Sequence, residues 1–214
     1  MKTASIAKLS VVICLLLSLL IVVGYIATRD RPLGEGHRLA SDYGGEFTLQ
    51  SNQGAVSLSD FKGKVVVIYF GFMNCQEACP VSMTTMRRAL KKLGSDELEQ
   101  VQGIFISIDP KRDTPEDLAA FAKDYHPNVI GLVDDKATIE QLAEQYGALA
   151  DMDVLEGKSV TYTVEHSSRF YMVDRAGKLQ TTMSHSTTPA ELAAKIQQML
   201  QAPVPADNSS PNQQ

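Results

Sequence analysis

No long cluster of basic residues occurs in the 214-residue chain, and its formal charge is −5. A protein that grips a polyphosphate backbone needs a positive stripe, so nucleic acid is excluded as a partner. No segment repeats another, which removes solenoids and other arrays. Cysteine is scarce as well: there are three, and Cys14 falls inside an N-terminal apolar run. A body of roughly 150 residues buries about 70% of the surface of its unfolded chain and needs no covalent staple. The two cysteines left to it, Cys75 and Cys79, therefore call for a reason other than scaffolding.

Of what is present, the run "LSVVICLLLSLLIVVGYIA" from Leu9 to Ala27 comes first. It carries no charge and is just long enough to cross a bilayer as a helix. We expect a transmembrane signal anchor at residues 9–27, preceded by a short tail at 1–8. The competing reading is a cleaved signal peptide, but its best site, Tyr25-Ile26-Ala27, puts bulky Tyr25 where a small side chain is wanted. Cys14, deep in the run after Val-Val-Ile, reads as a lipid-facing or packing residue rather than a lipid attachment point. Lys2 and Lys8 on one side and Arg29, Arg31 and Arg38 on the other do not orient the span. The very short tail ahead of a whole domain favours export, giving a single-pass protein of the cytoplasmic membrane with its domain in the periplasm. Residues 28–45 read as a linker, 46–201 as the domain, and 202–214, "APVPADNSSPNQQ", as a disordered tail.

Within the domain, "EFTLQ" and "AVSLS" flank the turn "SNQG" and predict a hairpin with Phe47, Leu49, Val56 and Leu58 facing inward. "KVVVIYF" from Lys64 is a nearly continuous β-branched and aromatic run, as expected of a strand covered on both faces. "GIFISID" from Gly103 and "NVIGLVD" from Asn128 predict two more. Helices are expected from Pro80 to Leu93 before Gly94, from Pro115 to about Tyr125, and from Lys136 to Tyr146 before Gly147. Thr114 supplies an N-cap and Pro115 a first-turn proline for the second of these. "RFYMV" and "LQTTM" around "DRAGK" predict a second hairpin, and a last helix runs from Pro189 to about Leu200. Strands alternating with helices give an α/β fold with a mostly parallel centre, which the closing hairpin turns into a mixed sheet. A cysteine pair where the first long strand meets its helix is the arrangement of thioredoxin-like folds.

The carboxyl end of a buried strand is where ligand sites form in open α/β sheets. A thiol at a helix N-terminus is expected to have its pKa lowered by the dipole. Residues i and i+4 share a helical face, so both sulfurs can converge on one ion or join in a disulfide. The spacing departs from the two-residue gap of thioredoxin-like oxidoreductases. A peroxidatic cysteine needs a threonine and an arginine to hold its thiolate. Three residues before Cys75 and Cys79 stand Phe72 and Gln76, which removes most support for that class. The remaining alternative is that the two are small core residues, although idle thiols in an exported protein invite oxidation.

The run "GKVVVIYFGFMNCQEACPVSM", the later "SIDPKRDTPEDLAAF", and "YTVEHSSRFYMVDRAGKL" together resemble, in order and spacing, the Sco/SenC family of membrane-anchored copper chaperones. The likeness extends from Phe47 to Leu200. It implies a thioredoxin-like fold, copper bound by Cys75, Cys79 and His166, and a role in assembling the dinuclear copper centre of cytochrome c oxidase. The partners it implies are the copper-bearing oxidase subunit and another copper chaperone or a thioredoxin-like reductant. Gln76-Glu77 and Phe72-Met73 depart from the family pattern and put partner choice and redox potential in question. Taken alone, His166 reads as a turn residue; an added imidazole would give copper(I) a third ligand and make copper(II) tolerable. Zinc would want a fourth ligand or an open water. Asp109 and Arg112 are expected to shape the surroundings of the thiolates from behind. Met73, Met83, Met86, Met183 and His185 are further donors, with core packing the expected role of most. The enzymatic alternative is a thiol-disulfide reductase that keeps oxidase cysteines reduced, using the same Cys75 and Cys79.

Overall fold

The computed structural model describes residues 43–76, 78–148 and 168–203. The expected anchor, the tail at 1–8, most of the linker, the chain from 204 onward, Glu77 and His166 lie outside them. Among the described residues no helix is long and apolar enough to cross a membrane.

The first hairpin forms as expected. β1 (Thr48–Ser51) and β2 (Gly54–Ser57) are antiparallel, with Thr48 opposite Ser57. Gly54, at φ 112°, takes the backbone conformation that a side chain would oppose. Phe47, Leu49 and Leu58 are buried and Val56 half-buried. A 3-10 turn over Leu58–Phe61 leads to the main sheet.

Among the described residues that sheet has five strands, in the order β5-β4-β3-β6-β7. β3 (Val65–Gly71) and β4 (Val101–Ser107) are parallel and every residue of both is buried. β5 (Val129–Leu132) extends the parallel part, while β6 (Arg169–Val173) runs antiparallel to β3 and carries β7 (Leu179–Ser184) at the edge. The mixed sheet and its antiparallel edge follow the sequence pattern. β4 starts two residues earlier than expected, because Val101 already pairs with Val65.

Among the described residues five helices pack around it: α1 (Ala78–Leu90), α2 (Ser95–Leu98), α3 (Pro115–Tyr125), α4 (Lys136–Tyr146) and α5 (Pro189–Gln201). α3 and α4 have the expected bounds. Thr114 Oγ1 accepts the Asp117 N–H at 3.2 Å, and Gly147 closes α4 at φ 65°. α1 ends at Leu90 rather than Leu93, since Lys92 and Leu93 donate to carbonyls three residues back, the tighter 3-10 pattern. Alternation along the strands divides the core. Val65, Val67, Tyr69 and Phe105 meet α1, α3 and α5 on one face. Val66, Ile68, Phe70 and Ile104 meet α4 and the hairpin on the other.

Candidate metal centre

β3 ends at Gly71, and the short stretch from Phe72 to Gln76 leads into α1, whose second residue is Cys79. Gly71 is required by proximity: a Cβ there would lie 2.8 Å from Cys79 Sγ and 2.9 Å from a Phe105 ring carbon. The cysteine sulfur thus rests against the end of the strand. Pro80 follows in the first turn of α1, where a missing N–H costs no intrahelical bond.

Cys75 and Cys79 are not joined in a disulfide; the first is half-buried and the second only 4% exposed. Cys75 lies ahead of the helix rather than on it, so the two do not share a helical face as expected. Its amide donates to Phe72 O at 3.3 Å, which turns the chain, and its Sγ then accepts the Cys79 N–H at 3.4 Å. One of the orphan donors of the α1 N-terminus is satisfied by sulfur. The two thiols are thereby brought together.

The expectation of a lowered pKa fails for Cys79. Its hydrogen bond with Cys75 and its burial push the thiol well up, outweighing a backbone bond at Phe72 and the Tyr69 hydroxyl, which act the other way. The bond with Cys75 and removal from water both favour the neutral thiol over the thiolate. Any ion held here must displace that proton. Tyr69 stands beside the pair, ring against Phe105 and Phe170, and burial followed by Cys79 raises the pKa of its hydroxyl.

Asp109 and Arg112 form an ion pair with each other, Arg112 Nε donating to Asp109 Oδ2. The residue that reaches the cysteine loop is Asp113, whose Oδ2 accepts the Met73 N–H at 3.0 Å and the Ser107 hydroxyl at 2.6 Å. Burial lifts its carboxyl above the usual range, and the two bonds oppose the rise. In the sequence Asp113 reads as part of a turn before a helix; a partner forty positions away leaves no local pattern.

Met83 and Met86 are fully buried in the core, so packing is their role. Met73, Cys75 and Met183 are half-buried against the same core cluster. His185 is half-buried and its amide donates to Ser168 O at 3.1 Å. Among the described residues no three His, Cys, Asp or Glu side chains converge as a metal cluster. The imidazole proposed from sequence, His166, lies outside them. Two adjacent thiols suit a soft ion such as copper(I), or a reversible disulfide, and either use consumes the other.

The SCO1/SenC family pattern matches residues 35–201. A SCO2-like protein of Rickettsia conorii is 31% identical over 190 residues, covering 84% of this chain and 92% of that protein. Among solved structures, Bradyrhizobium japonicum ScoI with copper bound is 30% identical with a TM-score of 0.62, over 74% of this chain and 99% of that one. BsSco, a member of the Sco family of cytochrome c oxidase assembly proteins in which a disulfide switch was identified, is 28% identical with a TM-score of 0.60, over 74% and 94%. A thioredoxin domain of a Bacteroides vulgatus thiol-disulfide oxidoreductase, 17% identical over 75% of this chain and 96% of that one, has a TM-score of 0.52 and shares the thioredoxin-like fold.

Proposed function

The chain belongs to the SCO1/SenC family, and from that premise we propose that it is a copper-delivery protein for the assembly of cytochrome c oxidase. Cys75 and Cys79 supply two thiolates and His166 the imidazole, with copper as cargo. The observation that carries this reading is the meeting of the two thiols at the end of β3, where Cys75 Sγ accepts the Cys79 N–H. Copper in the Bradyrhizobium japonicum protein and the assembly role named for BsSco support it.

Delivery proceeds by ligand exchange. Cys75 is half-buried and Cys79 almost closed off against Gly71, so an incoming thiolate or imidazole meets the ion on the Cys75 side and Cys79 releases it last. The recipient is the copper-bearing oxidase subunit, and copper or electrons come from another chaperone or a thioredoxin-like reductant. The run Leu9 to Ala27 anchors the chain in the cytoplasmic membrane with its domain in the periplasm.

The second reading, a thiol-disulfide reductase serving the oxidase cysteines, draws on the same closeness of two thiols not joined in a disulfide. Copper(I) loading of the reduced full chain in detergent, without oxygen, separates the two. One ion per chain is expected, lost in Cys75→Ser and held at least tenfold more weakly in His166→Ala. Unchanged copper stoichiometry and affinity in both variants, with rapid dithiol turnover by the parent, would sink the delivery role.

A further inference from the structure

The amides of the cysteine loop are tied in sequence. Cys79 N–H donates to Cys75 Sγ, Cys75 N–H to Phe72 O, and Met73 N–H to Asp113 Oδ2. Only the last tie leaves the local chain. It runs to a carboxylate 4% exposed, held by the hydroxyl of Ser107, a fully buried residue at the end of β4 directly opposite Gly71. Ser107 Oγ also accepts the Asp109 N–H at 3.1 Å, and Asp113 N–H donates to Asp109 O at 3.0 Å. The carboxylate is therefore fixed to the rigid centre of the sheet before it reaches the loop. A residue needed only to turn the chain into α3 has no cause to bury a carboxylate, which is costly unless hydrogen-bonded. The Thr114 cap and Pro115 already start that helix.

We propose that Asp113 is the positioning residue of the cysteine loop: by holding the Met73 amide to β4 it keeps Cys75 in the open, dithiol arrangement. Disulfide closure requires Cys75 Sγ to leave the Cys79 amide and approach Cys79 Sγ to about 2.05 Å. With Met73 pinned, Asn74 alone separates the fixed point from the residue that must move. The tie therefore opposes closure. It favours the reduced pair, the state in which a soft ion can be taken up. The inference concerns the thiol pair and stands apart from the identity of the cargo.

The test is an equilibrium with dithiothreitol. Protein dithiol and oxidised dithiothreitol exchange to protein disulfide and reduced dithiothreitol, two electrons and two protons passing from one pair of sulfurs to the other. The full chain in detergent is brought to equilibrium across a range of ratios, and free thiols are counted by alkylation and mass. In Asp113→Ala the equilibrium constant for closure is expected to rise about tenfold, equivalent to about 30 mV. Asp113→Asn, whose side-chain carbonyl can accept the same two bonds, stays within about twofold of the parent on this geometric account. Ser107→Ala, which removes one anchor, shifts in the same direction by less, and serves if Asp113→Ala fails to fold. A lowered melting temperature with an unchanged closure constant overturns the proposal. So does a shift toward the dithiol, or an asparagine variant that behaves like alanine. Should the parent bind no copper while Asp113→Ala still shifts closure, the delivery role falls and the positioning role remains.

Discussion

Gly71 shows how one missing side chain positions a reactive group. Its α-carbon leaves room for Cys79 Sγ and the edge of Phe105, both of which a methyl would meet at under 3 Å. Gly71→Ala is expected to cost about 1–3 kcal/mol, the usual range for overpacking a filled core, read as a lower urea midpoint. The midpoint of an unperturbed protein would show that the strand end can shift freely. Cys75 and Cys79 were legible in the sequence because position and spacing alone mark a strand-to-helix junction. The state of Cys79 was not, since the helix dipole can be foreseen from sequence while its bond with Cys75 and its burial require the assembled fold. Asp113 escaped for the same reason: its tie to Met73 is a matter of which strand ends meet.

Among the elements, those with local punctuation were legible to the residue. Thr114-Pro115 opens α3 and Gly147 closes α4, each a signal carried by one or two side chains. α2 was missed, being four residues long and held by the Glu97 carboxylate accepting the Gly94 N–H at 2.8 Å. The end of α3 has its own pH dependence. His126 caps it, its Nδ1 accepting the Asn128 N–H at 3.1 Å, and burial followed by Lys91, just past α1, and Arg87 on it lowers its pKa. The folded state therefore disfavours a proton that the unfolded chain takes up near the ordinary value of 6.5. This contribution to stability is intact above that value and declines as pH falls below it toward the folded one. The melting temperature is expected to drop between pH 7.5 and 5.5, and to drop less in His126→Gln. Equal slopes for the two proteins would assign the pH effect elsewhere.

On the scale of the molecule, the first hairpin is part of the core. Leu49 has no exposed surface, and Gln50 exchanges backbone bonds of 2.9 and 3.0 Å with Val133, just beyond β5. Leu49→Ala is expected to cost about 2–5 kcal/mol by denaturant unfolding. A cost near zero would mean that the hairpin is an appendage. The sheet itself was legible because three apolar runs of β-branched residues have no other economical burial, whereas the hairpin's attachment beside β5 depends on pairing between distant segments. β3 lies between β4 and β6, with every residue buried and packed helices on both faces. Its central amides can trade hydrogen for deuterium only when the domain opens as a whole, while those of Met73, Cys75 and Cys79 can do so by local opening. The protein thus carries its own reference: exchange in β3 reports global stability, and exchange in the loop at its end, measured against it, reports the state of the thiol pair alone.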